Sequence, residues 1–242
     1  MLRIITDFDG PIMNVSERYY KVYQYCLEAV REPEQPIQQL SKSEFWDFKR
    51  SQLPEREIGQ ASGLTDEQAQ AFATLRKQTV HTLPYLHHDS PIPGAVETLS
   101  YVQTLDIDLV VMTMRREQEL DEALARCGLG RFFAADRRYC LSNDYVKTAD
   151  IKDKPRLMAR AMRELAPAST WMIGDTEADI AAAQAHNIPV IAVLSGIRDR
   201  SRLSLHNPNC IAANLQEAVS IVLDQSGMQL QPATPLTLHQ PA

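Results

Sequence analysis

The chain opens with the stretch Leu2-Arg3-Ile4-Ile5-Thr6-Asp7-Phe8-Asp9-Gly10, which decides its fold class. The apolar and β-branched residues predict a short buried strand over residues 2–8. Asp9-Gly10-Pro11 predicts the turn that ends this strand. Residues i and i+2 of an extended strand point to the same side. We therefore expect the Asp7 and Asp9 side chains to lie next to each other where the strand ends.

Predicted strands and helices alternate from Gly94 onward. Such alternation is typical of an α/β protein with a doubly wound parallel sheet, and the first strand has to join that sheet. The predicted helices cover residues 94–105, 116–127, 154–165, 177–186 and 214–224, and the predicted strands cover residues 107–113, 170–174, 189–194 and 211–213.

The segment between the first strand and this alternation is predicted to be entirely helical. Apolar residues recur at helical spacing from Tyr19 to Val30, and Thr65 with Gln68 matches a capping box. We predict an α/β core of residues 1–14 and 88–224 and an inserted all-α domain of residues 15–87. Residues 225–242 are rich in Gln, Pro and Thr, which predicts a flexible tail.

Composition excludes several classes of protein. The 242 residues are 44% apolar and 23% charged with a net charge of −6, as in an ordinary folded protein that has no large basic surface for nucleic acid. The four cysteines form no Cys-x-x-Cys pair, and the chain reaches Asp7 too early for a signal peptide. No apolar run approaches the ~20 residues that span a bilayer. We predict a cytoplasmic protein with reduced thiols that binds neither nucleic acid nor membranes.

Polar residues follow three predicted strands. Asp7 and Asp9 end the first, Thr113-Met114-Arg115 ends the second, and Gly174-Asp175-Thr176-Glu177-Ala178-Asp179 ends a third. Lys154 stands just before a predicted helix. Ligands of an open parallel sheet bind beyond the carboxyl ends of its strands, so we expect these residues to share one crevice.

Four carboxylates in one crevice would repel one another, and a hard divalent cation such as Mg²⁺ would relieve that repulsion. Lys154 adds a positive charge, and Thr113 adds a hydroxyl. A site with Mg²⁺, a lysine and a threonine hydroxyl suits a phosphoryl group. Each residue taken alone has a simpler interpretation: Asp175 as a helix N-cap, Asp179 as a first-turn acid, and Thr113 as a hydroxyl that satisfies the backbone.

Together these motifs resemble the haloacid dehalogenase superfamily of phosphatases and phosphomutases. The matching residues are Asp7-Phe8-Asp9-Gly10, Thr113, Lys154-Pro155 and Gly174 to Asp179. The resemblance covers residues 2 to about 214. The helical insertion resembles the small helical cap of members such as phosphoglycolate phosphatase and β-phosphoglucomutase.

The resemblance implies a role for each matching residue. Asp7 would be the nucleophile and would form an aspartyl-phosphate, and Asp9 would act as general acid and then as general base. Mg²⁺ would be held by Asp7 and Asp175 side chains and by the Asp9 carbonyl, with Asp179 binding the metal or its water shell. Thr113 and Lys154 would hold the phosphoryl oxygens, and Gly10 would permit the turn.

The chain departs from the family pattern at Pro11, where Thr or Val is common, and at Met114, where Asn is common. Arg115 or Arg116 would replace that amide in part as a substrate contact. In the predicted cap, Lys49 and Arg50 could reach an anionic substrate tail; the alternative is that these cations are solvated beside a packed aromatic core.

We predict a Mg²⁺-dependent phosphomonoesterase that acts on a small phosphorylated metabolite. The alternatives are a phosphomutase of the same superfamily and a catalytically weak binding or regulatory protein that keeps the fold. Nothing in the sequence predicts the substrate or the oligomeric state.

Overall fold

A computed structural model describes residues 1–228 of the chain. The strands are β1 Leu2–Thr6, β2 Met13–Asn14, β3 Ser90–Pro91, β4 Ile107–Arg116, β5 Arg138–Leu141, β6 Ser169–Gly174, β7 Val190–Val193 and β8 Cys210–Ala212. The helices are α1 Ser16–Val30, α2 Lys42–Arg50, α3 Glu55–Ala61, α4 Asp66–Thr79, α5 Leu83–Leu86, α6 Ala95–Gln103, α7 Glu117–Arg126, α8 Asp150–Glu164, α9 Glu177–Gln184, α10 Arg200–Ser204 and α11 Leu215–Gln225.

Six strands form one sheet in the order β5-β4-β1-β6-β7-β8, and every neighbouring pair is parallel. β1 lies inside the sheet, and all five of its residues are buried. Its side chains alternate between the two faces: Ile4 packs into one apolar cluster with Val111 and Ile173, and Ile5 packs into another with Met112. Apolar layers on both faces are typical of parallel sheets. The predicted α/β fold with a doubly wound parallel sheet is confirmed.

The helices α1 to α5 lie between β2 and β3, and they share a third apolar cluster. In that cluster the rings of Tyr23 and Phe45 stack with their centroids 4.8 Å apart. β2 and β3 pair with each other in antiparallel order, so the two chain crossings between the sheet and this helical segment run side by side. The assignment of residues 15–87 as a cap domain stays a prediction.

Of the predicted helix boundaries, some are confirmed and one is wrong. Thr65 and Gln68 form the predicted capping box of α4, and Gly128 follows α7 with a φ of +64°. Lys154 and Pro155 were wrongly placed before a helix, because α8 already begins at Asp150. Proline suits the first helical turn, and that preference led to the late start.

One edge strand of the sheet was not predicted, and most of the predicted tail lies outside the described residues. β5 was not predicted, because its four residues are too few to show a pattern. α11 runs to Gln225, and residues 229–242 of the predicted tail lie outside the described residues. None of the helices within residues 1–228 has the length and apolar character needed to cross a membrane.

Candidate active site

The carboxyl ends of β1, β4 and β6 meet the start of α8 around a crevice of about 140 Å³. The structure brings the predicted residues Asp7, Asp9, Thr113, Lys154 and Asp175 together in its lining. Asp179 is fully buried, and one of its carboxylate oxygens lies within 4.8 Å of those of Asp7 and Asp175. The parallel strands therefore place these side chains where the sequence analysis expected them.

Lys154 lies between two carboxylates. Its Nζ is 2.6 Å from Asp7 Oδ2 and 2.5 Å from Asp179 Oδ1, and its side chain is 1% exposed. Burial alone would lower the pKa of Lys154, but the charges of Asp179 and Asp7 outweigh burial and raise that pKa above its ordinary value. The lysine is therefore a fixed positive charge next to the predicted nucleophile.

The acidic residues still outnumber this one cation. Burial raises the pKa of Asp7 well above its usual value; Lys154 opposes this rise, and the charges of Asp179 and Asp175 add to it. Burial, with the neighbouring Asp179, raises the pKa of Asp175 to about 7. Carboxylate oxygens of Asp7, Asp175 and Asp179 lie within 4.8 Å of one another. Crowded, buried carboxylates of this kind fit a hard divalent cation such as Mg²⁺.

The two carboxylate oxygens of Asp179 contact different partners. Its Oδ2 accepts hydrogen bonds from the Asp175 and Thr176 backbone N–H groups at 3.2 and 3.0 Å and from Thr176 Oγ1 at 2.7 Å. Thr176, not Asp175, is the N-cap of α9. The Oδ1 atom of Asp179 contacts Lys154 Nζ as an ion pair without hydrogen-bond alignment. This arrangement fits a residue that orients the loop and Lys154, and the predicted role of Asp179 at the metal or its water shell stays a prediction.

Three glycines leave room for these carboxylates. A Cβ atom on Gly10 would lie 2.2 Å from the Asp175 side chain, and one on Gly174 would lie 2.1 Å from Asp179. A Cβ atom on Gly196 would lie 1.9 Å from Asp175 Oδ2. Gly196 was not predicted as a site residue. The next residue, Ile197, donates its backbone N–H to that oxygen at 2.6 Å. The loop after β7 therefore both leaves room for the Asp175 side chain and donates a hydrogen bond to it.

Asp9 is held by two buried arginines. Arg115 donates from Nε and Nη2 to Asp9 Oδ1 at 2.9 and 2.7 Å, and Arg18 donates from Nη2 to Oδ2 at 3.0 Å. Burial raises the pKa of Asp9, but the charges of Arg115 and Arg18 outweigh burial and lower that pKa to about 2. Arg115, predicted to contact substrate, lines the crevice, and its guanidinium is paired with Asp9 and with a further carboxylate, Asp89. Neither Arg18 nor Asp89 was predicted.

The other residues predicted to contact substrate do not line the crevice. Arg116 is half exposed beside Glu119, and Lys49 is paired with Glu55. Arg50 joins the helical insertion to the loop after β7: its guanidinium donates to the Arg198 carbonyl at 3.3 Å, and its own carbonyl accepts from the Asp199 N–H at 3.2 Å. The structure therefore places Arg50 in a contact between the helical segment and the core.

A second cavity, of about 1050 Å³, adjoins the crevice. Tyr19, His81, Lys147 and Asp150 line both spaces. Burial and the nearby Arg18 lower the pKa of His81 to about 3, which keeps its ring neutral. The position of His81 at this junction has no signal in the sequence.

The order and identity of these residues agree with a known protein family. The family model for haloacid dehalogenase-like hydrolases matches residues 4–193, which is most of the chain. The chain belongs to the haloacid dehalogenase-like hydrolase family. The match confirms the resemblance seen in the sequence, and it confirms the predicted class of enzyme, a hydrolase.

Curated relatives in this family are distant. A pyrophosphatase named PpaX from Oceanobacillus iheyensis is 26% identical over 132 residues, which cover 54% of this chain and 60% of the relative. A phosphoglycolate phosphatase from Pseudomonas syringae is 27% identical, covering 58% of this chain and 50% of the relative. These matches thus span about half the length of both relatives. A phosphoglycolate phosphatase from Thiobacillus denitrificans is 24% identical, covering 90% of this chain and 94% of its own length.

Solved structures share the fold. A haloacid dehalogenase-like family protein from Streptococcus pneumoniae has a TM-score of 0.65 at 18% identity, covering 90% of this chain and 97% of that one. A hydrolase from Pseudomonas syringae has a TM-score of 0.57 at 20% identity, covering 93% and 99%. At these identities the similarity establishes the shared architecture of the family.

Proposed function

We propose that this family member is a Mg²⁺-dependent phosphomonoesterase that acts on a small phosphorylated metabolite. The observation that carries the proposal is the buried Lys154 held between Asp7 and Asp179, with Asp175 beside them. A buried cation beside an acidic cluster that fits a divalent metal supports this proposal.

Asp7 is the nucleophile in this proposal. A carboxylate oxygen of Asp7 attacks phosphorus, the bond from phosphorus to the leaving oxygen breaks, and the electron pair departs with that oxygen. Lys154 and Thr113 line the same crevice, and in this proposal the ammonium and hydroxyl groups bind the phosphoryl oxygens. Mg²⁺ held by Asp7, Asp175 and the Asp9 carbonyl would supply further neutralisation of the charge on those oxygens.

Asp9 moves protons in this proposal. It gives a proton to the leaving oxygen in the first half of the reaction. In the second half, water attacks the phosphorus atom, Asp9 accepts a proton from that water, and the bond between phosphorus and Asp7 breaks to release phosphate. Arg115 and Arg18 hold the Asp9 carboxyl group in place for both proton transfers.

The adjoining cavity indicates the class of substrate. Its lining holds Lys49, Arg76, Lys77, Arg116 and Lys147 but only two acids, Glu55 and Asp150. Arg76 is 4% exposed, and its Nε and Nη2 atoms have no hydrogen-bond partner within residues 1–228. Its Nη1 atom donates to Glu55 Oε1 at 2.6 Å, so one side of the guanidinium is already paired. The remaining buried N–H groups are costly unless an acceptor such as an anion meets them. We propose that the substrate carries a second negative group, as pyrophosphate and phosphoglycolate do.

The substrate class can be tested with Arg76→Gln. We expect KM to rise by about 10-fold for a phosphate ester that carries a carboxylate, because a charge-assisted hydrogen bond is lost. KM for p-nitrophenyl phosphate, which lacks a second anion, should stay within about 2-fold under the same reasoning. Arg56→Gln is the matched control, since Arg56 lies on the same helical segment, half exposed, paired with Asp66. Equal changes for both substrates would count against a second anion subsite.

The activity itself is tested with purified protein, p-nitrophenyl phosphate and a panel of phosphorylated metabolites. We expect release of inorganic phosphate with Mg²⁺, a loss of at least about 100-fold after chelation, and recovery on adding the metal back. No turnover across the panel would reject the phosphatase and favour a binding protein. Phosphate that stays organic and moves to another hydroxyl would identify a phosphomutase.

A further inference from the structure

Four charged side chains form a closed square of ion pairs at the edge of the crevice: Arg18, Asp89, Arg115 and Asp9. Arg18 and Arg115 each contact both carboxylates. Asp9 is 27% exposed and lines the crevice, whereas Asp89 is fully buried behind the two arginines and does not line the crevice. Asp9 is therefore the member of this square that faces the crevice, and Asp89, opposite it, contacts protein groups.

The geometry shows what Asp89 does for Arg115. Arg115 Nη2 contacts Asp9 Oδ1 at 2.7 Å and also contacts Asp89 Oδ2. An Nη atom carries two hydrogens, so one can point to each carboxylate. The guanidinium also lies over the ring of Phe8, 5.0 Å from its centroid. Asp89 and the Phe8 ring thus fix the orientation of the Arg115 guanidinium group. That orientation in turn fixes the position of the Asp9 Oδ1 atom.

Arg18 closes the square from the helical segment. Its Nη2 donates to Asp9 Oδ2, and its Nε lies 3.0 Å from Asp89 Oδ1 as an ion pair without hydrogen-bond alignment. The Asp89 backbone is anchored separately, since its carbonyl accepts from Arg126 Nη1 at 3.0 Å. The only cations that the Asp89 carboxylate contacts among residues 1–228 are these two arginines.

We propose that Arg18, Asp89 and Arg115 are positioning residues that hold the Asp9 carboxylate against the water that hydrolyses the Asp7 phosphoryl group. The inference rests on the proposed function. Both oxygens of Asp9 are tethered, so its rotamer is fixed before water arrives, and a fixed base contributes more to proton transfer than a mobile one. Asp89 acts through the arginines and touches neither the substrate nor the metal site.

The step affected is the second half of the reaction. In that step water forms a bond to phosphorus, its proton passes to Asp9, and the bond between phosphorus and Asp7 breaks with its electron pair returning to Asp7. Departure of p-nitrophenolate in the first half needs no proton, because this leaving group is already stable as an anion. Loosening Asp9 should therefore slow release of phosphate and leave formation of the Asp7 phosphoryl group unchanged.

The test is Asp89→Asn with p-nitrophenyl phosphate and Mg²⁺. We expect kcat to fall by about 10-fold to 100-fold while kcat/KM stays within about 2-fold, because kcat/KM reports only the steps up to nitrophenolate release. Rapid mixing should show a burst of one nitrophenolate per site followed by a slow steady state. A purely structural defect would reduce the burst amplitude and both kinetic parameters together.

Asp108→Asn is the matched control. Asp108 also bridges two arginines, Arg3 at 2.7 Å and Arg137 at 2.6 Å, but near the amino-terminal ends of β1 and β4, away from the crevice. Its kinetics should equal those of the wild type. If Asp89→Asn does not fold, the charge-balanced variant R18Q/D89N replaces it, with the same split expected.

Two outcomes overturn the inference in distinguishable ways. An equal fall of kcat and kcat/KM, or no change in either, with wild-type turnover intact, rejects the positioning role alone. Absence of wild-type turnover rejects the proposed function, and this inference falls with it.

Discussion

Asp7→Asn should abolish turnover, with a loss of at least about 10⁴-fold for p-nitrophenyl phosphate, because an amide cannot form the phosphoryl intermediate. The substitution keeps the size of the side chain, and its carbonyl oxygen can still accept the Phe8 N–H that Asp7 Oδ1 accepts at 2.7 Å. Burial and the carboxylates of Asp179 and Asp175 disfavour the charge on Asp7. Removal of that charge should therefore leave the fold intact.

The measurements are steady-state turnover, circular dichroism and thermal unfolding with and without Mg²⁺. The wild type should gain Tm on adding Mg²⁺, and the variant should gain less, because one carboxylate ligand is lost. Asp136→Asn is the control, since Asp136 is an exposed acid whose contacts are to the neighbouring Arg137. A folded Asp7→Asn protein with wild-type turnover would show that Asp7 is not the nucleophile.

The sequence predicted those site residues that strand ends position directly. Asp7 and Asp175 directly follow β1 and β6, and Thr113 lies in the carboxyl-terminal half of β4. Parallel strands that pair in register must bring their carboxyl ends to one edge. Lys154 was predicted only from its place in the set of motifs, since a lysine at the start of a helix is by itself most often a solvated charge. Its location inside α8, close to Asp7 and Asp179, depends on how that helix packs on the sheet.

The residues that were missed are placed by packing between distant segments. Arg18 comes from α1 and Asp89 from the return connection beside β3, and neither belongs to a local motif. An arginine in an amphipathic helix predicts a solvated charge, whereas Arg18 is fully buried. Gly196 follows the strand β7, and only the position of Asp175 explains why a larger residue would not fit there. Tertiary pairing of charges leaves no periodic pattern for sequence reasoning to detect.

Lys154→Met should affect both stability and turnover, because Lys154 is the only cation that the structure shows paired with Asp7 or Asp179 within residues 1–228. Methionine fills a similar volume without charge, so Asp7 and Asp179 would remain buried and unpaired. Breaking a buried ion pair on one side costs about 3 to 5 kcal/mol. We expect the free energy of unfolding to fall by that amount without metal, and turnover to fall by at least about 10³-fold.

Mg²⁺ separates these two effects. A divalent cation beside Asp7 and Asp175 offsets part of the missing charge, so Mg²⁺ should raise the Tm of the variant by more than it raises the Tm of the wild type. Turnover should stay low even at saturating Mg²⁺, because the metal cannot replace the ammonium group at the phosphoryl oxygens. Lys152→Met serves as the control, since Lys152 is exposed on the same helix. If Lys154→Met matched the control in both Tm and turnover, the buried lysine would be neither a structural counter-charge nor a phosphoryl ligand.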